Sequence, residues 1–400
     1  MKSSHGLLGP GQHPGAWAIA AVILTVAALT FLRPPARCEA SAKTAPESWL
    51  SHGGDPVGPS RHDVRPPMDD VTRSLGQVEQ RISLHFAANN FAEERQAREE
   101  YAAFLEKVFG ANDWRTVTQR LYHASAERIS KLMPDQQALI VKARESSNDG
   151  ARLKGRRDYP AALSSFREAL RLYKQVLGDD DVWSIATLTE IAQTEQRAAN
   201  FKEMKAIWTD LTPRMKALYG ERSPCYANAV QALGIANLSL GAHEDAEGQI
   251  RRSLEIHQAA FGAESYEAII SHFYLADSYN QRSQFSKAEP EAKTAATVLA
   301  RSLPEKYPEY VLALWQLAKS YRGQGKHADA VATSARAIEL IEAFRRLPPN
   351  AIYADMLDDY AASLRKLNRT EEAADYAARA ELLRSERSPK NVAQKPTTQK

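Results

Sequence analysis

Two cysteines in 400 residues, Cys38 and Cys225, leave no room for a disulfide framework, and neither stands in a CxxC or other metal-binding spacing. Cys225 follows Pro224 at an expected helix start, which suits a buried, inert thiol. Charge of one sign is not in excess: 52 Lys and Arg face 49 Asp and Glu, a net +3. That balance excludes the strongly basic footprint of a chain built around nucleic acid. Alternating β-branched residues are scarce, so the body is expected to be helical and not sheet-forming.

Catalytic motifs are missing as well. The chain contains no HExxH, no GxSxG and no Cys/His pair in a catalytic signature. Gly150 and Gly155 have the spacing of a phosphate-binding loop, but Arg156 and Arg157 stand where a lysine and a hydroxyl residue belong. No strand precedes them, and helical turns cannot form the backbone cradle that holds phosphate. The run Asp179–Asp181 reads as helix-start acid, which satisfies free amides and meets the positive end of the helix dipole. His52 and His62 are isolated in a linker-like stretch. The residues give no reason to expect a catalytic centre, a metal or a cofactor.

One long apolar run is present. Residues 16–32, AWAIAAVILTVAALTFL, carry no charge. Their 17 residues are near the lower limit of a membrane span and longer than the usual signal-peptide core. The run reads as an uncleaved signal anchor or as a cleaved signal peptide with a late site near Ala40-Ser41-Ala42. Residues 1–15 form its leader. Lys2 before the run and Arg33, Arg37 and Lys43 after it argue for a cytoplasmic body, whereas the signal-like layout argues for export. The expectation is a single-pass N-terminal anchor with an extracytoplasmic body, or a secreted or periplasmic chain after cleavage. Residues 33–68 hold seven prolines and no hydrophobic period, as a tether does. The tail 385–400 is basic and reads as disordered; polyanion contact there is nonspecific at most.

Between these ends the chain repeats itself every 42 residues. One column runs Ala162, Met204, Ala246, Ala288 and Ala330, and after a one-residue slip Ala373. A second runs Gly150, Ala192, Gly234, Ala276, Ala318 and Ala361, all small. A third, of turn residues, runs Gly241, Ser283, Gly325 and Asn368. Small residues at fixed intervals mark places where two helices cross closely. Val311, Leu314, Leu317, Ala318 and Tyr321 form one helical stripe, and Ala330, Val331, Ala337, Ile338 and Ile341 another. A single helix pair cannot bury both stripes, so the units are expected to stack as an α-solenoid. Pro290 is expected in the first turn or so of its helix, and Pro213 is expected to bend or break its helix near Thr212.

The motif Leu317-Ala318, Tyr321, Gly325, Ala330 resembles the tetratricopeptide repeat in its 42-residue, kinesin-light-chain-like form. Leu275-Ala276, Tyr279 and Ala288 follow it with Ser283 at the glycine place. Leu233-Gly234, Gly241 and Ala246 follow it with Asn237 at the tyrosine place. The resemblance covers residues 146–384 and implies an all-α, right-handed solenoid of about six helix pairs. Residues 69–145 lie outside the register, with helices expected near 71–108, 113–132 and 135–156, as an N-terminal cap. The segment DWRTVTQRLYHASAERISKL resembles leader segments of repeat proteins of planctomycete-type bacteria.

The resemblance also implies a ligand groove along the first helix of each pair. Mapped onto this chain, its positions include Thr189, Gln193 and Gln196, then Asn228 and Gln231, then Phe273, Asp277 and Asn280. They continue with Trp315, Lys319 and Arg322, then Asp358 and Arg365. Phe273 and Trp315 are either groove anchors or packing between repeats. The lysine–asparagine clamp that captures carboxylate-ended tails has no match at these positions. The implied job is that of a non-enzymatic scaffold that holds a peptide or a helix of a protein partner. The alternatives are a regulatory or accessory subunit of an enzyme supplied by another chain, and a binder of nucleic acid through the basic tail.

Overall fold

The computed structural model describes residues 68–302, 308–344 and 350–385. The apolar run 16–32, the proline-rich segment and most of the basic tail lie outside the described residues. Among the described residues, no helix is long and apolar enough to cross a membrane.

The described residues form fifteen helices: α1 Met68–Ala87, α2 Phe91–Phe109, α3 Trp114–Ser130, α4 Pro134–Gly155, α5 Tyr159–Leu177, α6 Val182–Arg197, α7 Phe201–Tyr219 and α8 Pro224–Ser239. They continue as α9 His243–Phe261, α10 Tyr266–Gln281, α11 Phe285–Ser302, α12 Pro308–Gly323, α13 His327–Phe344, α14 Asn350–Lys366 and α15 Thr370–Ser385. Contacts divide the chain into two units, with the division at Ala229 and Val230, inside α8.

From α4 onward the helices pair as antiparallel hairpins, and each column of the register finds its physical role. Ala162, Met204, Ala246, Ala288, Ala330 and Ala373 are all fully buried, one on the second helix of each hairpin. On the first helices, Ala192, Ala276, Ala318 and Ala361 are buried too. A Cβ added to Gly150 would sit 2.7 Å from the Phe166 ring, and one added to Gly234 would sit 2.8 Å from Ile250 Cγ1. The helices approach too closely for a side chain there. The turn column is left-handed at Gly241 (φ +79°), Ser283 (φ +57°), Gly325 (φ +76°) and Asn368 (φ +60°). Ala199 (φ +60°) and Arg157 (φ +64°) hold the same conformation one and two periods before Gly241.

The junctions between hairpins are equally regular. Gly178, Gly220 and Gly262 end α5, α7 and α9 with φ near +90°. Three residues later, the side chains of Asp181, Ser223 and Ser265 accept backbone N–H groups in the first turn of the next helix. The glycine supplies a conformation closed to other residues, and the cap satisfies an amide with no helical partner. Gly110 (φ +92°) and Asp113 repeat this arrangement ahead of α3, outside the 42-residue register.

Two local expectations change, at Asn89 and at Pro290, while the helix assigned through Pro213 is kept. The helix expected over 71–108 is two helices, because Asn89 takes a left-handed conformation (φ +55°) and Asn90 opens α2. Pro213 does not end α7, which runs through it while Thr212 Oγ1 donates to the Trp208 carbonyl at 2.6 Å. Pro290 lies in the second turn of α11, inside the helix that begins at Phe285.

In unit 1 the helices ahead of the register join the core of the first hairpins. Trp183, at the start of α6, stacks on Phe86 of α1 (5.1 Å) and meets Tyr122 of α3 edge-on (5.4 Å). Beside it, Glu94 of α2 binds Arg98 at 2.8 Å and Arg144 of α4 at 2.7 Å, all three side chains buried. Burial alone would raise the Glu94 carboxyl, but the two guanidinium groups hold it below its ordinary value.

Candidate interaction face

The face predicted from the sequence lies on the first helix of each hairpin. In unit 2 that means the end of α8, then α10, α12 and α14. Consecutive first helices are joined side by side through polar side chains. Gln231 Nε2 donates to Ser271 Oγ at 2.7 Å. Asn280 Nδ2 donates to the backbone carbonyl and the side-chain oxygen of Gln316, both at 2.9 Å. Ser320 Oγ donates to Asn280 Oδ1 at 3.1 Å. Gln316 Nε2 donates to Asp277 Oδ1 at 3.0 Å, and Gln281 Nε2 donates to its other oxygen at 2.9 Å. Burial raises the Asp277 carboxyl above its ordinary value, against the pull of Lys319.

The next step joins α12 to α14. Trp315 Nε1 donates to Asp359 Oδ2 at 2.9 Å, and the Arg322 guanidinium donates to Asp359 Oδ1 at 2.7 Å. Lys319 Nζ lies 4.8 Å above the Trp315 ring and 3.9 Å from Asp277. Its ammonium thus bridges a π face and a carboxylate. Arg384 of α15 reaches back to Asp355 and Asp358 at 2.8 and 2.6 Å.

Phe273 and Trp315 are both half-buried and both pack against the apolar core of unit 2. Phe273 also meets Tyr274 edge-on at 5.1 Å. Asn280 is buried, whereas Gln231, Asp277, Lys319 and Arg322 are half-buried and Arg365 is exposed. The face is therefore a row of mutually bonded polar groups on an apolar base. Three members of that row, Gln316, Ser320 and Asp359, were missed by position mapping. A signal for them exists in the sequence: the bonded partners stand 36 to 44 residues apart, within two helical turns of one period.

Unit 1 differs. Helix α6 is buried along most of its length, with Thr189 2% and Gln193 7% exposed, while Gln196 stays half-buried. Thr189 and Gln193 therefore do not lie on an open surface. The physical reason is the segment ahead of the register: α3 packs on α6 and α7, Arg128 of α3 pairs with Asp181, and Thr118 lies 4.0 Å from the Cys225 sulfur. Asn228 is half-buried on α8. Burial pushes the Cys225 thiol up to about 11, so it is protonated and unreactive at neutral pH. Gly150 and Gly155 both lie within α4, where no phosphate cradle forms.

Residues 148–182, covering the end of α4, all of α5 and the start of α6, match the family model described as tetratricopeptide repeat. No curated protein sequence matches the chain significantly. Among solved structures, the chain is similar to nearly identical TPR-like repeats of a putative kinesin light chain from Podosopora anserina. That likeness has a TM-score of 0.45 at 15% identity and covers 54% of this chain and 100% of that one. It is also similar to BtubC (BKLC) from P. vanneervenii, with a TM-score of 0.48 at 15% identity over 60% of this chain and 94% of the other. For the apo form of RapI the TM-score is 0.49 at 10% identity, over 78% of this chain and 98% of that one. The chain carries the tetratricopeptide repeat, matched at residues 148–182 in the first unit of a 42-residue register that its helical hairpins continue to α15.

Proposed function

We propose that this chain is a non-enzymatic scaffold whose hairpins stack as a right-handed solenoid and hold a segment of a protein partner. The carrying observation is the face of α10, α12 and α14. There half-buried aromatic rings and paired charges lie side by side over an apolar core, with Lys319 and Arg365 reaching solvent. Aromatic and arginine side chains on a firm base are the usual anchors of protein recognition. The apolar run 16–32 supports a tether at a membrane with an extracytoplasmic body, and the leader-like segment 113–132 supports a bacterial source.

Two experiments test this reading. Crosslinking in native membranes, followed by partner identification, is repeated with Lys319→Gln and Arg365→Glu, which change the charge of the face and keep each side chain long and polar. Loss of the captured partner is the expected result; an unchanged partner set rejects the face. The tether is tested by alkaline extraction of membranes. The full chain stays with the membrane pellet, and a chain starting at residue 34 is released.

A further inference from the structure

The polar link between first helices in unit 2 has a counterpart in unit 1 that lacks one member. In α10 and α12, Gln316 Oε1 accepts from Asn280 Nδ2 and Gln316 Nε2 donates to Asp277 Oδ1. Three periods earlier, Lys154, Glu190 and Ala151 stand at the places of Asn280, Gln316 and Asp277. Lys154 Nζ donates to Glu190 Oε2, which reproduces the first bond between α4 and α6. Ala151 has no polar side-chain atom with which to reproduce the second.

A cavity of about 30 Å³ lies at that place, its lining shared by Ala151, Phe166, Tyr173, Trp183 and Glu190. Two of these residues carry a buried polar atom without a hydrogen-bond partner among the described residues: the acceptor Glu190 Oε1 and the donor Trp183 Nε1. Both residues are 4% exposed. They lie on one face of α6, two turns apart. Trp183 stacks on Phe86 at 5.1 Å and on Tyr173 at 6.1 Å, which fixes the direction of its N–H. Buried polar atoms of this kind are costly unless something pairs with them.

The chemistry of the lining selects what can do so. An apolar occupant leaves both atoms unpaired. A cation meets Lys154 and Arg144, and an anion meets the Glu190 carboxylate. A neutral occupant that both accepts and donates satisfies the pair. Size then decides: one water needs about 10–15 Å³, so the cavity has room for about two. Even the smallest amides and diols are larger than that. We infer that this cavity is a binding site for a pair of ordered water molecules, which accept the Trp183 N–H and donate to Glu190 Oε1. Bound water thus completes in unit 1 the link between first helices that the Asp277 carboxylate completes in unit 2.

The test uses the full chain in detergent, with nitrogen-15 in the indole rings of its six tryptophans. Trp183→Phe identifies the signal of interest. The expected result is magnetization transfer from water to the Trp183 indole N–H with the sign of a long-lived contact. Ala151→Asn places an amide where unit 2 has Asp277, and the water signal is then lost. Ala151→Leu has a similar branched shape without polar atoms, so it drives the water out and leaves both buried atoms unpaired. It should unfold at least about 2–4 °C below Ala151→Asn, although leucine is the better helix former. A Trp183 indole without long-lived water contact in the parent chain overturns the site. So does a leucine variant as stable as the asparagine variant, which is the behaviour of a dry cavity.

Discussion

Trp315 and Asp359 stand 44 residues apart and share a 2.9 Å hydrogen bond that ties α12 to α14. Asp359 also takes the Arg322 guanidinium, so one carboxylate collects two donors from the preceding hairpin. Replacing it with alanine leaves a half-buried indole N–H and guanidinium without their acceptor. Asp359→Ala should destabilise the chain by about 1–3 kcal/mol. Urea unfolding followed by Trp fluorescence checks this, and a loss below about 0.5 kcal/mol would show that the bond is ornamental to stability.

The small column makes a signed prediction. Gly150 lies against the buried Phe166 ring, whereas Gly248 on the exposed side of α9 has nothing within 4 Å of an added Cβ. Gly248→Ala should stabilise by about 1 kcal/mol through helix propensity alone. Gly150→Ala gains the same propensity but forces the ring to move, at about 1–3 kcal/mol, so it should come out neutral to destabilising. Thermal unfolding of the two variants side by side gives the comparison; equal stabilisation would contradict the close crossing.

Left-handed turns held by non-glycine residues should be improvable. Ala199 (φ +60°) and Ser283 (φ +57°) occupy the position that glycine takes in two other repeats. Ala199→Gly and Ser283→Gly are each expected to stabilise by up to about 1 kcal/mol, the relieved strain outweighing the added freedom of the unfolded chain. Chemical denaturation midpoints provide the measurement.

Glu267, near the start of α10, gives a pH signature. Burial raises its carboxyl from 4.5 to about 7. The folded state therefore holds a proton that the unfolded state releases earlier. The associated stability is fully present below pH 4.5 and is lost as pH rises to about 7. Glu267→Gln keeps the neutral form at every pH. It should match the parent protein near pH 4.5 and exceed it at pH 8 in thermal unfolding. Parallel curves for the two proteins would rule the proton out.

Glu94 in unit 1 has the opposite sign. Its folded carboxyl is held below the ordinary value, so its contribution is present above pH 4.5 and is lost as pH falls through the lowered folded value. Glu94→Gln at neutral pH leaves Arg98 and Arg144 buried without their anion and should cost about 3–5 kcal/mol. Hydrogen exchange resolved by helix locates the loss, which is expected in α2, α4 and the start of α6.

Much of this architecture is legible before any coordinates. A 42-residue period in residue size is a local record of where helices touch, and the Gly–x–x–Ser/Asp junctions record where they turn. Both effects act within a few residues, so both survive in one dimension. The stretch YGERSP, which mixes a carboxylate, a guanidinium and a hydroxyl, is such a junction: Gly220 is left-handed at φ +86° and Ser223 caps α8. The break at Asn89 was less visible, because asparagine is compatible with both a helix and the left-handed turn that ends one.

The sequence by itself determined the helical class, the register, the turn chemistry and the absence of recognised catalytic motifs, since each depends on side-chain size, backbone freedom or composition at fixed spacing. Only the tertiary structure decided which polar residues of the first helices bond one another and which stay accessible. Asp359 meets Trp315 and Arg322 across two helices, and α3, outside the period, packs on α6 and α7 where the sequence had placed open groove positions. Those outcomes depend on how separate helices are placed side by side, and a periodic pattern fixes that a side chain faces a neighbour without fixing which atom it will meet.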